Sequence, residues 1–439
     1  KADSRGAFGW IALCIILPLA GPVLYLIFGI NRVNSAARRH YITKLSKDST
    51  DTITEPAGTD FRPLSMVGEN VVKKGLSSCD EVLVLQNGEE IYPAMLEAIA
   101  NAEHHVLLCT YIFDRDETGQ QFIEALVAAK KRGLEVNGMG EWMSLRRIGT
   151  ILRRHQIEFS RFNPITLLPP SLNLNLRSHR KMLIVDNRYA FTGGANIGDR
   201  HLALREDNTH RVMDIHFRLQ GRVVDEVEWA FRRDWHYCQG TRNLHPYKHN
   251  NPNKRESPVW TRLVLDGPNK SLDRLNDLML GVISSARKRV WIMTPYFLPT
   301  QDLIGALIAA HLRGVDVQIL LPGENNIKPA HWASRNILRI ILETDLYIAY
   351  QRSPFIHSKI LLIDEQYSLI GSANMDPRSL RLNYELGVEL FSRETNQQLS
   401  EYFLSRRANA TQVTKEEIAN RSLPERLRDS FAWLFSPYL

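Results

Sequence analysis

The sequence predicts an α/β protein of two similar lobes behind an N-terminal transmembrane helix. Each lobe is expected to be a mixed β-sheet flanked by helices, and the two to pack about a pseudo-two-fold axis. Three observations carry this. An apolar run of 23 residues without a charge, Phe8 to Ile30, lies near the start. From about Asp80 onward, apolar strand-like runs alternate with helix-like runs. That alternation is written twice, with the same parts in the same order.

The first run, "FGWIALCIILPLAGPVLYLIFGI", is long enough to span a bilayer core as a helix. Trp10 and Tyr25 are its amphipathic aromatics, and Pro18 and Pro22 predict kinks. It exceeds a signal-peptide apolar region, and no A-x-A-like cleavage site clearly follows. Arg32, Arg38, Arg39, Lys44 and Lys47 come next, which puts the C-terminal side in the cytoplasm. Lys1 and Arg5 on the other flank fit a hairpin of two helices whose first member lies upstream. The expected organisation is a membrane segment with its basic flank over 1–40 and a polar linker over 41–80, loosest at "STDTITEPAGTD". The first lobe follows over 81–245 and the second, with a C-terminal tail, over 246–439.

The chain has 439 residues, 44% hydrophobic and 23% charged, enough for a sizeable core. Its formal net charge of +7 suits anionic partners: nucleic acid, phospholipid headgroups or small phosphates. Cys14, Cys79, Cys109 and Cys238 form no CxxC pair and read as reduced, mostly buried thiols.

In the first copy, "MLEAIANAEHHV" leads into "VLLCTYIF" and "FIEALVAAKKRG" into "LEVNGMG"; "HRKMLIVDNRYAFTGGANIGD" follows. In the second, "LMLGVISSARKRV" leads into "VWIMTPYFLP" and "LIGALIAAHLRG" into "VDVQILLPG"; "HSKILLIDEQYSLIGSANMD" follows. Tyr111 answers Tyr296, and Arg132-Gly133 answers Arg313-Gly314.

"HRKMLIVD" and "HSKILLID" each place a histidine and a lysine two positions apart: His179 with Lys181, His357 with Lys359. On an extended strand such residues share a face, while Asp186 and Asp364 fall on the other. Parity therefore makes the aspartates braces rather than reactants. An asparagine follows each histidine by 17 positions, Asn196 in "GGAN" and Asn374 in "GSAN", where glycine lets backbone approach a ligand closely. Asn196, Asn374 and Ser372 add neutral hydrogen-bonding groups.

Two imidazoles, two ammonium groups and two amides in one pocket suit phosphodiester chemistry. One neutral histidine attacks phosphorus and the other, protonated, donates to the leaving alkoxide. The lysines and asparagines stabilise the non-bridging oxygens. Each histidine wants a carboxylate on its other nitrogen. Asp214 in "VMDIHF" and Glu385 in "NYELGVEL" lie downstream of the two motifs. A zinc site is disfavoured, because a lysine beside each histidine sets positive charge next to a cation.

Both motifs resemble the H-x-K-x4-D signature, continued by GG or GS and Asn, of the phospholipase D superfamily. Within it the chain is similar, from Phe8 to Leu439, to the bacterial cardiolipin synthases. The similarity rests on "LPLAGPVLYLIFG", "LPPSLNLNLRSHRK", "TGGANIGDRH", "TPYFLP", "GSANMDPRSLRLNYELGVEL" and "LFSPYL". The resemblance implies a membrane-bound phosphatidyltransferase joining two phosphatidylglycerol molecules into cardiolipin and releasing glycerol through a phosphohistidine. It carries over His179, Lys181, Asp186, His357, Lys359 and Asp364 as the catalytic set, with His179 as nucleophile and His357 as general acid. Asn196, Asn374, Ser372, Asp214 and Glu385 are its phosphate-binding or histidine-orienting residues. It implies no cofactor and no metal, phospholipid substrates and a bilayer as partners, and no nucleic acid. The implied location is the bacterial inner (cytoplasmic) membrane, with the catalytic part on the cytoplasmic side. Two departures stand out: "LEVNGMGEW" is more polar than its counterpart "VDVQILLPG", and Gly194 stands where the second copy has Ser372.

"FNPITLLPPSLNLNL", Phe162 to Leu176, reads as a buried connection or a loop dipping into the bilayer. The tail "LRDSFAWLFSPYL" reads as an interfacial amphipathic helix or a segment packed on the core. Arg177, Arg211 and Arg378 are candidate phosphate contacts. The competing activities are a hydrolase of the same superfamily, acting on lipid or nucleic acid, and a phosphate-binding scaffold; two complete motifs argue against the scaffold.

Overall fold

The structure is a computed structural model that describes residues 4–28, 61–140, 142–162, 166–167, 170–171, 176–239, 259–268 and 271–436. The apolar N-terminal run is two helices, α1 (Ser4–Ile16) and α2 (Ala20–Phe28), not one. Pro18 has no N–H for the helical ladder, and its ring opposes the carbonyl four residues back, so the helix stops ahead of it. The Trp10 and Tyr25 rings meet edge to face at 5.3 Å. On one straight helix they would lie about 22 Å apart. Gly21 permits the fold-back, since a Cβ there would fall 2.6 Å from Cys14 Cα. No helix among the described residues is long and apolar enough to cross a membrane, which corrects the single spanning helix expected. The basic flank from Arg32 to Lys47 lies outside the described residues.

The expected linker is partly ordered structure. Residues 41–60 lie outside the described residues, but α3 (Arg62–Val72) and β1 (Ser77–Cys79) follow. Leu64 and Val72 of α3 join the core of the second lobe.

The first lobe contains β2 (Glu81–Gln86), α4 (Asn87–Ala100), β3 (His105–Thr110), α5 (Glu117–Lys131) and β4 (Glu135–Gly140). It continues with α6 (Trp142–Arg154), β5 (Glu158–Arg161), β6 (Met182–Val185), β7 (Tyr189–Gly193), β8 (Ile215–Gln220) and α7 (Val223–Gln239). Its sheet order is β2-β8-β7-β6-β3-β4-β5. The second lobe begins with β9 (Val259–Asp266), α8 (Arg274–Ser285), β10 (Arg289–Met293), α9 (Gln301–Leu312), β11 (Asp316–Pro322) and α10 (Lys328–Leu342). It ends with β12 (Tyr347–Gln351), β13 (Ile360–Ile363), β14 (Tyr367–Gly371), β15 (Glu385–Phe391), α11 (Arg393–Arg407), β16 (Ala410–Gln412) and α12 (Leu423–Leu434). Its sheet order is β1-β9-β15-β14-β13-β10-β11-β12-β16. Seven strands match the first lobe one for one, and β1 and β16 extend the edges. Helices α7 and α11 lie between the sheets in one shared apolar core, and separate apolar clusters lie beneath the outer helices.

Register refines the internal match. Val106 pairs with Val185, and Val290 with Ile363, so Thr110 answers Thr294. Each threonine hydroxyl donates to the carbonyl two residues on, Ile112 and Tyr296. Ile112 therefore answers Tyr296, and Tyr111 lies one residue out of the register expected from sequence. The Arg-Gly match holds: Gly133 and Gly314 turn with φ of 89° and 86°, conformations that favour glycine.

The tail packs on the core through one side and leaves an apolar side exposed. Helix α12 buries Asp429 and Ala432 against α10 and exposes Leu423, Leu427, Phe431 and Leu434 on its outer side. Asp429 is held by Arg335, Arg421 and Arg428. In the Phe162–Leu176 segment both end residues are buried, with the Phe162 ring 4.9 Å from that of Tyr384. The side chains from 163 to 175 lie outside the described residues.

Candidate active site

The two motifs meet at the junction of the lobes. His179 and Lys181 precede β6, and His357 and Lys359 precede β13, so all four lie in the lead-in to a strand rather than within it. The backbone N–H of His179 donates to Tyr384 O at 2.9 Å, and that of His357 to Met213 O at 2.8 Å. Each motif histidine is thus stitched to the opposite lobe. The residues after those carbonyls, Glu385 and Asp214, supply the carboxylates. His357 Nδ1 lies 2.7 Å from Asp214 Oδ2, and His179 Nδ1 lies 3.2 Å from Glu385 Oε1 and 3.3 Å from Ser372 O. Each histidine takes its carboxylate from the other lobe. With Nδ1 engaged, Nε2 is the nitrogen left for chemistry.

The Gly194 and Ser372 difference follows from this crossing. A Cβ on Gly194 would fall 2.2 Å from Asp214 Oδ1, so glycine leaves room for that carboxylate. Ser372 is fully buried and donates to Glu385 Oε2. It supports the partner of His179 rather than reaching the cavity.

Both histidines line a cavity of about 320 Å³ with Tyr111, Asn196, Tyr296 and Asn374. Lys181 Nζ donates to His179 O at 2.7 Å, and Lys359 Nζ donates to His357 O. Burial lowers Lys181 to about 8; it lowers Lys359 to about 7, with Lys181 adding to the effect. Burial, then the neighbouring lysine, also lowers His179 and brings His357 to about 4, with the carboxylates opposing. Burial pushes Asp214 up, but His357 and Lys359 outweigh it and hold it below the usual carboxylate range. Four groups able to carry positive charge crowd here and depress one another's protonation, so an anionic ligand would be favoured. Among the described residues no three His, Cys, Asp or Glu side chains cluster as a metal site requires.

Asp186 and Asp364 stand away from this centre. Asp186 accepts from the backbone N–H groups of Glu103, His104 and His105, and Asp364 from those of Arg287, Lys288 and Arg289. Both take positive φ, 53° and 52°. Both carboxylates thus hold backbone N–H groups at the turn after the motif strand. Asn196 Oδ1 accepts from Ile112 N at 3.1 Å. Of the three arginines singled out, Arg378 lines the cavity and Arg177 and Arg211 do not.

Comparison with known proteins accords with this arrangement. A family described as "Cardiolipin synthase, PLD-like domain" matches residues 95–235 and 279–407, one block in each lobe. The chain belongs to the cardiolipin synthase family of PLD-like proteins. The family described as "Phospholipase_D-nuclease N-terminal" matches residues 1–29. The cardiolipin synthase of Geobacillus kaustophilus is 30% identical over 98% of this chain and 88% of its own length. Cardiolipin synthase 1 of Bacillus anthracis is 31% identical over 99% of this chain and 89% of its own. The crystal structure of phosphatidylserine synthase from Haemophilus influenzae shares the fold, with a TM-score of 0.66 at 16% identity over 85% of this chain and all of that one.

In this cardiolipin synthase family member, sequence reasoning missed His201 and His216. His201 is buried, lines the cavity and has its ring centroid 6.3 Å from that of His357. Its Nε2 accepts from Asn196 N at 3.2 Å. The corresponding residue in the second copy is Ser379, so a search for repeated features passes over it. His216 is buried on β8, opposite Gly193. Burial lowers both histidines to about 3, so both are neutral near pH 7.

Proposed function

We propose that the chain is a membrane-associated phosphatidyltransferase that makes cardiolipin from two phosphatidylglycerol molecules and releases glycerol. The observation that carries this reading is the crossed pair of histidine–carboxylate contacts around one cavity, in a member of the cardiolipin synthase family. His179 Nε2 attacks the phosphorus of the first lipid. The bond from phosphorus to the glycerol oxygen breaks as His357 gives that oxygen its proton, and glycerol leaves. The phosphatidyl group then rests on His179. Neutral His357 takes the proton from a hydroxyl of the second phosphatidylglycerol, whose oxygen attacks phosphorus and breaks the P–N bond. Cardiolipin forms and both histidines return to their starting protonation.

The histidines' surroundings disfavour an imidazolium, so the acid's proton is stabilised by the substrate. A phosphodiester anion among Lys181, Lys359 and the histidines raises the affinity of each for its proton. Lys181 and Lys359 neutralise the non-bridging oxygens as charge builds.

The same reading puts the lobes at the bacterial inner membrane, on its cytoplasmic side. The uncharged Phe8–Ile30 run, its basic flank and the outer apolar side of α12 support it. The test is capture of the intermediate. Acid-free mass spectrometry after rapid mixing with phosphatidylglycerol is expected to find one phosphatidyl group on His179. A His179→Ala protein that still forms a phosphatidyl adduct on His357 would reverse the assignment, and turnover with no adduct on either histidine would overturn it.

A further inference from the structure

The two lobes present an arginine to the cavity at matching positions. Arg200 follows Asn196 by four residues, Arg378 follows Asn374 by four, and both line the cavity. Their surroundings differ. Arg200 Nη2 donates to Asp114 Oδ2 at 2.5 Å, so its charge is answered within the protein. Asp114 is set by its backbone N–H, which donates to Ile197 O at 2.9 Å. The corresponding bond in the second lobe runs from Leu298 N to Met375 O at 2.7 Å. Leucine thus occupies the place of the carboxylate.

Asp376, two residues before Arg378, does not replace it. Asp376 is buried and its Oδ1 accepts from Ser379 N at 2.7 Å. Arg378 makes no close ion pair among the described residues; its charge reaches Asp376 only across space. A partly buried guanidinium beside a cavity, with no carboxylate bonded to it, is arranged to meet an anion from outside. Asn374 stands beside it, 4% exposed, and its Oδ1 has no hydrogen-bond partner among the described residues. A buried acceptor left unpaired is costly, and a ligand hydroxyl would satisfy it.

We propose that Arg378 and Asn374 form the subsite for the phosphoglycerol head of the second, accepting lipid. Arg378 takes the phosphodiester that stays intact, and Asn374 Oδ1 accepts from a glycerol hydroxyl. The proposal rests on the phosphatidyltransferase reading and adds to it the side on which the acceptor lies. A free glycerol phosphate offers the same chemistry as the lipid head, so both are tested.

The experiment measures how each enzyme divides labelled phosphatidyl groups between acceptors. Full-length wild type, Arg378→Gln, Arg378→Lys and Arg200→Gln are given labelled phosphatidylglycerol with ethanol as a phosphate-free competitor. The ratio of cardiolipin to phosphatidylethanol is read within each sample, so a loss of folded protein cancels. Arg378→Gln is expected to lower that ratio on the order of 10-fold, the worth of one charge-assisted hydrogen bond to phosphate. Arg378→Lys falls between it and wild type, and Arg200→Gln moves the ratio far less. With soluble glycerol phosphate replacing the lipid as acceptor, an equal drop means that the phosphoglycerol head is read. A drop with the lipid alone overturns that part. An unchanged ratio in Arg378→Gln, or an equal fall in Arg200→Gln, overturns the subsite. Wild type that makes neither product overturns the transferase reading beneath it.

Discussion

Replacing Asp214 by Asn tests the crossing of the lobes. Asp214 is fully buried; Oδ2 lies 2.7 Å from His357 Nδ1, while Oδ1 accepts from Ile215 N at 2.8 Å. Asparagine keeps the size and an oxygen for Ile215 but removes the charge that steadies an imidazolium. A hydrogen bond to a charged group is worth about 1.5–3 kcal/mol. At about 1.4 kcal/mol per tenfold in rate, kcat is expected to fall roughly 10- to 100-fold. Asp214 belongs to the first lobe, yet its loss should mimic loss of the second-lobe His357. The assay compares phosphatidylglycerol with a phosphatidyl p-nitrophenol ester, whose leaving group needs no proton. Asp214→Asn and His357→Ala should slow glycerol release and spare the p-nitrophenol burst. Glu385→Gln, acting through His179, should slow both. Equal slowing of both substrates by Asp214→Asn would refute the argument, as would leaving-group selectivity in Glu385→Gln.

Other consequences are open to measurement. Lys359 and Lys181 lose their charge as pH rises through about 7 and about 8, so kcat/KM should decline on an alkaline limb in that range. Lys359→Arg, whose charge persists, should move the limb upward; a limb near the ordinary lysine value of about 10.4 would contradict the cause given. Asp186→Ala removes an acceptor from three backbone N–H groups and should cost roughly 2 kcal/mol of stability in urea melts, with kcat per folded molecule retained. A collapse of kcat in the folded protein would return Asp186 to the chemistry. Leu427 and Phe431 are 63% and 64% exposed on α12. Changing both to Asp should weaken flotation with anionic vesicles on the order of 10-fold while leaving the melting temperature in place. Unaltered flotation would leave α12 without a membrane role.

Much of the fold was legible because the chain states it twice. Two alternating patterns of equal order require two like sheets, and the one-to-one match of seven strands follows. The motif residues were legible for the same reason, with Asp186 and Asp364 set aside by strand parity. What escaped reading depends on tertiary contact. Asp214 lies 143 residues from the histidine it contacts, so the sequence offers both carboxylates without saying which histidine each one meets. His201 has no repeat to expose it. Tyr111 and Tyr296 look alike in sequence, but the strand register sets them one residue apart. At the N-terminus, apolar length was read as one span, while Pro18 broke the helix and Gly21 let the halves meet.

The most direct test of the central claim is the lipid product of purified enzyme given labelled phosphatidylglycerol in liposomes with EDTA present. The account predicts cardiolipin and glycerol in equal amounts, abolished by His179→Ala. Phosphatidic acid as the sole lipid product would contradict it and make water the acceptor.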